Sequence, residues 1–125
     1  MAHRILVVED EKTAQHILLT ALGDEYEVRC AEDGLAALME IEQGFQPALV
    51  IADIMMPRMD GMTFVRTLRQ RAGTARIPVI FLTSRSTARD VIEGIQAGAR
   101  HYLIKPIKVP DLLKKVRKLL PPEAC

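Results

Sequence analysis

The chain has 125 residues, 49% hydrophobic and 26% charged, which suits one globular domain with a real core. Its 17 basic and 16 acidic side chains nearly cancel, which argues against a general nucleic-acid or membrane-surface binder. Two cysteines outside any metal or redox spacing, and no apolar run of bilayer length, point to a soluble protein with reduced thiols.

"MAHRILVVEDE" opens the chain, with too short an apolar run before Glu9, Asp10 and Glu11 for a secretory leader. "RILVV" (4–8) reads as a strand covered on both faces, because it lacks polar alternation. Ala14, Ile17, Leu18, Ala21 and Leu22 then form one helical stripe. "YEVRCA" (26–31) is a more polar second strand. Asp33-Gly34 starts a helix with Leu35, Leu38 and Ile41 inward, ending near Gly44 and Pro47. "ALVIA" (48–52) is the third strand. A helix after Gly61 turns Met62, Val65 and Leu68 inward. "IPVIFLT" (77–83) is the fourth strand. Thr87 and Asp90 have capping-box spacing for a helix with Val91, Ile92 and Ile95 inward, closed by Gly98. "HYLI" (101–104) is the fifth strand. Pro110 suits the first turn of a last helix carrying Leu112, Leu113, Val116, Leu119 and Leu120, which Pro121-Pro122 ends.

Strands that alternate with helices pair in parallel through right-handed crossovers, with helices on both faces. The expected fold is therefore a doubly wound five-stranded parallel sheet in three α/β/α layers, one domain over residues 1–125 with no repeat or linker. In such sheets ligands bind beyond the carboxyl ends of the strands. The first strand delivers Glu9, Asp10 and Glu11 there, and the third delivers Asp53. The fourth delivers Thr83 and Ser84, and the fifth Lys105.

Carboxylates gathered in one crevice repel one another unless protons or a cation intervene. The donors are all hard oxygens, with no histidine or cysteine beside them. That selects magnesium, with manganese or calcium as substitutes, over zinc or copper. Lys105 adds a positive charge and Thr83 a hydroxyl. The edge thus reads as a cradle for an anion arriving with or onto a metal, and Asp53 as a nucleophile able to form an aspartyl phosphate.

In order, "ILVVEDE", "VIADIMMPRMDG", "VIFLTS" and "YLIKP" resemble the receiver domain of bacterial response regulators, over essentially the whole chain. The resemblance implies a flavodoxin-like fold with strand order 2-1-3-4-5, a magnesium cofactor and Asp53 as phosphoacceptor. It implies metal ligation by Asp10, by Glu9 through water, by Asp53 and by the Met55 backbone carbonyl. Lys105 would pair with the phosphoryl group, Thr83 would be the switch hydroxyl and Tyr102 the switch aromatic. A cis Lys105–Pro106 peptide is implied as well, a form that only X-Pro bonds take at low cost. Glu9 stands where aspartate is commoner, and Ser84 where alanine or glycine often follows the threonine. Met55 and Arg85 occupy positions that often tune phosphate lifetime.

The function implied is a stand-alone, cytoplasmic single-domain response regulator of a two-component phosphorelay, without an output domain. A histidine kinase or histidine phosphotransfer protein would supply the phosphoryl group. A downstream protein, not nucleic acid or membrane, would read it on the fourth helix, fifth strand and fifth helix, with the chain a monomer or a phosphorylation-dependent dimer. There, Lys108, Lys114, Lys115, Arg117 and Lys118, with Arg85, Arg89 and Arg100, form either a solvated basic face or a docking surface. An alternative is a receiver cut from a longer regulator, a transcription factor or hybrid kinase. A magnesium-dependent phosphatase of the haloacid-dehalogenase type is disfavoured, since Met55 stands where its general acid belongs. A flavin module is disfavoured because the acids after the first strand would repel the cofactor phosphate.

Overall fold

The structure is a computed structural model that describes residues 2–121; Pro122 and Cys125 lie outside them. Five strands, β1 (Arg4–Val8), β2 (Glu27–Ala31), β3 (Leu49–Ala52), β4 (Val79–Thr83) and β5 (His101–Ile104), form one sheet in the order β2-β1-β3-β4-β5. Every pairing is parallel. The connecting helices are α1 (Lys12–Leu22), α2 (Gly34–Glu42), α3 (Gly61–Gln70) and α4 (Ala88–Ala97), and α5 (Val109–Leu119) follows β5. The expected topology is therefore the observed one. Among the described residues, no helix is long and apolar enough to cross a membrane.

The unbroken apolar strands serve two cores at once, because successive side chains point to opposite faces. Ile5, Val7, Leu49, Ile51, Ile80 and Leu82 pack with Leu18 and Leu22 of α1 and Leu112 and Val116 of α5. Leu6, Val8, Val50, Ala52, Val79 and Phe81 pack with Ala37 and Leu38 of α2, Phe64, Val65 and Leu68 of α3, and Ala97 of α4. Burying one such leucine or isoleucine is worth about 1.5–3 kcal/mol, so a strand reading "ILVV" is committed to the middle of the sheet. Caps start the helices where the sequence places them. Asp33 accepts from the Ala36 amide, Asp60 accepts from the Thr63 amide, and Thr87 with Asp90 forms a complete capping box.

Three helix faces differ from expectation. Ile92 and Ile95 of α4 are 57% and 46% exposed, while Gly94 and Ala97 face the sheet. The cause is Tyr102 on β5: its ring lies where any side chain at Gly94 would stand. Small residues therefore line the inner side of α4, and the isoleucines turn outward. On α2, Leu35 is exposed and Ala37 takes its place inside. On α1, Ile17 lies at the exposed margin of an otherwise correct stripe.

Candidate functional site

Residues just past the strand ends continue the backbone ladders and so are held as firmly as the strands. The Glu9 amide donates to the Ala31 carbonyl at 2.9 Å, and the Asp53 amide to the Val8 carbonyl at 2.9 Å. The Lys105 amide donates to the Thr83 carbonyl at 2.8 Å. These bonds bring the ends of β1, β3, β4 and β5 to one edge.

There Glu9, Asp10 and Asp53 each offer an oxygen, all within 4.8 Å of one another. Glu9 and Asp53 are buried and Asp10 is exposed. The Lys105 ammonium lies 2.7 Å from Glu9 Oε1 and 2.9 Å from Asp53 Oδ2, with the exposed Glu11 at 3.3 Å. Asp53 Oδ1 accepts from the Ile54 amide at 2.6 Å and the Met55 amide at 3.2 Å. Glu9 Oε2 accepts from the Glu11 amide at 3.1 Å. Burial pushes the Glu9 carboxyl above its ordinary range, against the pull of the lysine. Burial also disfavours the Lys105 charge, but the hydrogen bonds it donates to Glu9 and Asp53 outweigh that and hold the ammonium well above its usual value. Three carboxylates against one ammonium leave net negative charge at the edge, and the donor set is all oxygen. That set fits a hard divalent cation.

Asp10, Ile54, Met55, Met56, Pro57, Asp60 and Arg85 line an open cleft of 470 Å³ beside Asp53. The structure thus brings Glu9, Asp10, Asp53 and Lys105 together. Met55 borders the cleft and is 62% exposed. Thr83 is fully buried at the end of β4. Tyr102 stands apart from the acids: its hydroxyl donates to the Arg85 carbonyl at 2.8 Å, and its ring meets Phe81 edge-on at 6.1 Å. Phe81 pairs with Tyr102 and Thr83 with Ile104, so Thr83 and Tyr102 share one sheet face. The Lys105–Pro106 peptide is cis.

The matching family model is that of the response regulator receiver domain, over residues 5–117. The chain belongs to that family. Response regulator MprA of Mycobacterium sp. (strain KMS) is 38% identical over 121 residues, 96% of this chain and 51% of that protein. The DNA-binding response regulator MtrA of Mycobacterium leprae is 35% identical, over 96% of this chain and 52% of its own length. This receiver thus spans about half the length of the curated relatives it matches. Chemotaxis protein CheY4 of Vibrio cholerae superposes with a TM-score of 0.89 at 30% identity, covering 96% of this chain and 100% of that one. The receiver domain of a Pseudomonas aeruginosa sensor histidine kinase, with magnesium coordinated in its active-site cleft, has a TM-score of 0.85 at 28% identity. It covers 95% of this chain and 98% of its own.

Three supports of the receiver site were not evident from sequence. Arg58, at a left-handed φ of 63°, reaches back so that its Nε lies 2.6 Å from Asp33 Oδ2. This clamps the β3–α3 loop to the start of α2. Gly61 lets α3 begin against the site, since a Cβ there would lie 2.2 Å from the Asp53 carbonyl oxygen. Asp60-Gly61 reads as a bare turn and helix start, and only the folded neighbour reveals the close approach. Arg85 turns back to Asp90 at 2.6 Å instead of extending the basic face. Capping-box spacing shows Asp90, but not its second partner.

Proposed function

We propose that this receiver is a phosphorylation-controlled switch in a two-component relay, acting in the cytoplasm. The observation that carries the reading is Asp53, buried at the strand edge beside Glu9 and Asp10, with Lys105 on one oxygen and two backbone amides on the other. An Asp53 carboxylate oxygen attacks the phosphorus of a phosphohistidine on a sensor kinase or histidine phosphotransfer protein. The phosphorus–nitrogen bond breaks, and the histidine nitrogen keeps the electron pair. Hydrolysis later adds a water oxygen to phosphorus, breaks the phosphorus–Asp53 oxygen bond and releases inorganic phosphate. Glu9, Asp10, Asp53 and the Met55 carbonyl would hold a magnesium ion, which supplies positive charge for the transferring oxygens. Lys105 pairs with the phosphoryl group, Thr83 offers it a hydroxyl, and the added charge shifts a two-state equilibrium that Tyr102 reports.

Output runs through a protein partner on α4, β5 and α5. Ile92, Ile95 and Ile104 are exposed there. His101 lies among Arg100, Lys115 and Lys118, where burial and then those cations hold its imidazole below the ordinary value. The chain matches both a chemotaxis protein along its full length and half of longer regulators, and the receiver chemistry is the same in either setting. Acetyl phosphate with magnesium should add one phosphate to the wild type and none to Asp53→Asn, read by intact mass. Labelling that survives the substitution refutes the assignment. Reversing Lys114, Lys115 and Lys118 to glutamate should weaken partner capture; unchanged capture removes the docking role.

A further inference from the structure

Arg85 touches three parts of the molecule at once. The residue borders the cleft together with Asp10 and Met55. Its guanidinium lies 2.6 Å from Asp90 Oδ1, and the pair is partly shielded, Arg85 being 37% exposed and Asp90 13%. Asp90 is the third residue of α4, and its other oxygen accepts from the Thr87 amide at 3.2 Å and the Thr87 hydroxyl at 2.7 Å. The Arg85 carbonyl meanwhile accepts the Tyr102 hydroxyl. One residue therefore joins the acceptor cleft, the first turn of α4 and the aromatic on β5.

We propose that Arg85 is a positioning residue with two alternative partners: Asp90 while Asp53 is free, and the phosphoryl oxygens once Asp53 is loaded. The proposal rests on the phosphoacceptor reading above. The lone Lys105 is already shared between Glu9 and Asp53. A phosphoryl group on Asp53 adds negative charge of about one unit and three acceptor oxygens beside the cleft. Arg85 is the cation lining that cleft, and a guanidinium suits bidentate contact with such oxygens better than an ammonium. Its present partner is a single carboxylate oxygen, and the Arg85 side chain remains 37% exposed to solvent, so the hold is modest. Moving to the phosphoryl group removes that partner from the capping box of α4 and shifts the Arg85 backbone to which Tyr102 is bonded. The charge on Asp53 is thereby felt at the α4–β5 surface.

The test uses beryllofluoride with magnesium as the phosphoryl mimic on the whole chain. Binding is measured by fluorine NMR, and amide exchange is followed over Ala88–Val91. In the wild type, loading should speed exchange in that first turn. Arg85→Ala should bind the mimic about tenfold more weakly, and its α4 turn should exchange fast with or without the mimic. Asp90→Asn, which keeps an acceptor for the Thr87 amide, should bind it about threefold more tightly, because Arg85 is released in advance. Arg85→Lys should fall between Arg85→Ala and the wild type. An Asp90→Asn protein that binds no better than wild type, or wild-type α4 exchange that ignores loading, overturns the proposal while leaving Asp53 as acceptor. Wild type that takes neither beryllofluoride nor phosphate from acetyl phosphate overturns both.

Discussion

Gly94→Ala tests the contact that sets the position of Tyr102. An added Cβ at Gly94 would lie 2.8 Å from Tyr102 Cε2, 2.9 Å from Cδ2 and 3.2 Å from Phe81 Cδ2. Carbon atoms prefer about 3.5–4.0 Å, so the tyrosine ring must move by roughly 1 Å. Two interactions hold that ring. The hydroxyl bond to the Arg85 carbonyl is worth about 0.5–1.5 kcal/mol, and the edge-on contact with Phe81 about 0.5–1.5 kcal/mol. Against their loss stands the helix preference of alanine over glycine, about 1 kcal/mol. Gly94→Ala should therefore destabilise the protein by about 0–2 kcal/mol, although α4 becomes the better helix. In a Tyr102→Ala background only the 3.2 Å approach to Phe81 Cδ2 is left, which that ring can relieve by moving a few tenths of an ångström, and the same substitution should stabilise by about 0.5–1 kcal/mol. The assay is urea denaturation of the four proteins of the cycle, with slopes compared to confirm two-state unfolding. If Gly94→Ala has the same effect in both backgrounds, Tyr102 does not occupy the inner face of α4 and the account of its outward isoleucines fails.

Gly61→Ala should be among the most damaging single-methyl additions, at about 3 kcal/mol or more, because it meets Asp53 and Ile54 backbone rather than a movable side chain. Calorimetry should show loss of magnesium binding even in the folded fraction, and a stable Gly61→Ala with normal magnesium affinity would contradict the close approach. Tyr26→Phe removes the buried hydroxyl bond to the Leu120 carbonyl (2.6 Å) and should cost about 1 kcal/mol by thermal melt. An unchanged melt would mean that the end of α5 is not tied down there. For Asp33, burial pushes the carboxyl up, but the Ala36 amide and Arg58 outweigh it and hold it below the ordinary range. Its contribution is full above the unfolded value of about 3.9 and fades as pH falls through the lower folded value. The stability gap to Asp33→Asn, which keeps an acceptor for the Ala36 amide and loses only the ion pair with the half-exposed Arg58, is under about 1 kcal/mol and should be flat near pH 6 and shrink below about pH 4. A gap that widens toward acid would refute the assignment.

Strand positions were legible because two-sided burial leaves no room for polar alternation, so "RILVV" matches β1 residue for residue; "HYLI" also matches β5, although that edge strand is only partly buried. Their order was not legible from periodicity, since any parallel arrangement of covered strands shows the same apolar runs; the resemblance supplied it. Site acids and lysine could be read because strand ends in this architecture share an edge. Helix faces were legible only where large residues fill space against the sheet, as in Met62, Val65 and Leu68. On α4 the space was already taken by a side chain from β5, and a helical stripe cannot register a neighbour that occupies its place. The Arg58–Asp33 clamp escaped for a related reason: the two residues are 25 apart in sequence and meet only after two crossovers are built.

The same geometry explains why an acid cluster survives at the centre of this receiver. Parallel winding points the starts of α1, α3 and α4 toward the edge where the strands end, and helix starts carry partial positive charge. Backbone amides of Ile54, Met55 and Glu11 add donors to Asp53 and Glu9. The scaffold thus tolerates several carboxylates together without neutralising them, for its only full positive charge within reach of Glu9 and Asp53 among the described residues is Lys105. An edge balanced in this way responds to one added charge more strongly than a neutral surface would. The side-chain link beside the cleft is the partly shielded Arg85–Asp90 pair, at 2.6 Å. A perturbation at Asp53 therefore has an outlet through the β4–α4 loop, and the rigid strands on either side leave it few others.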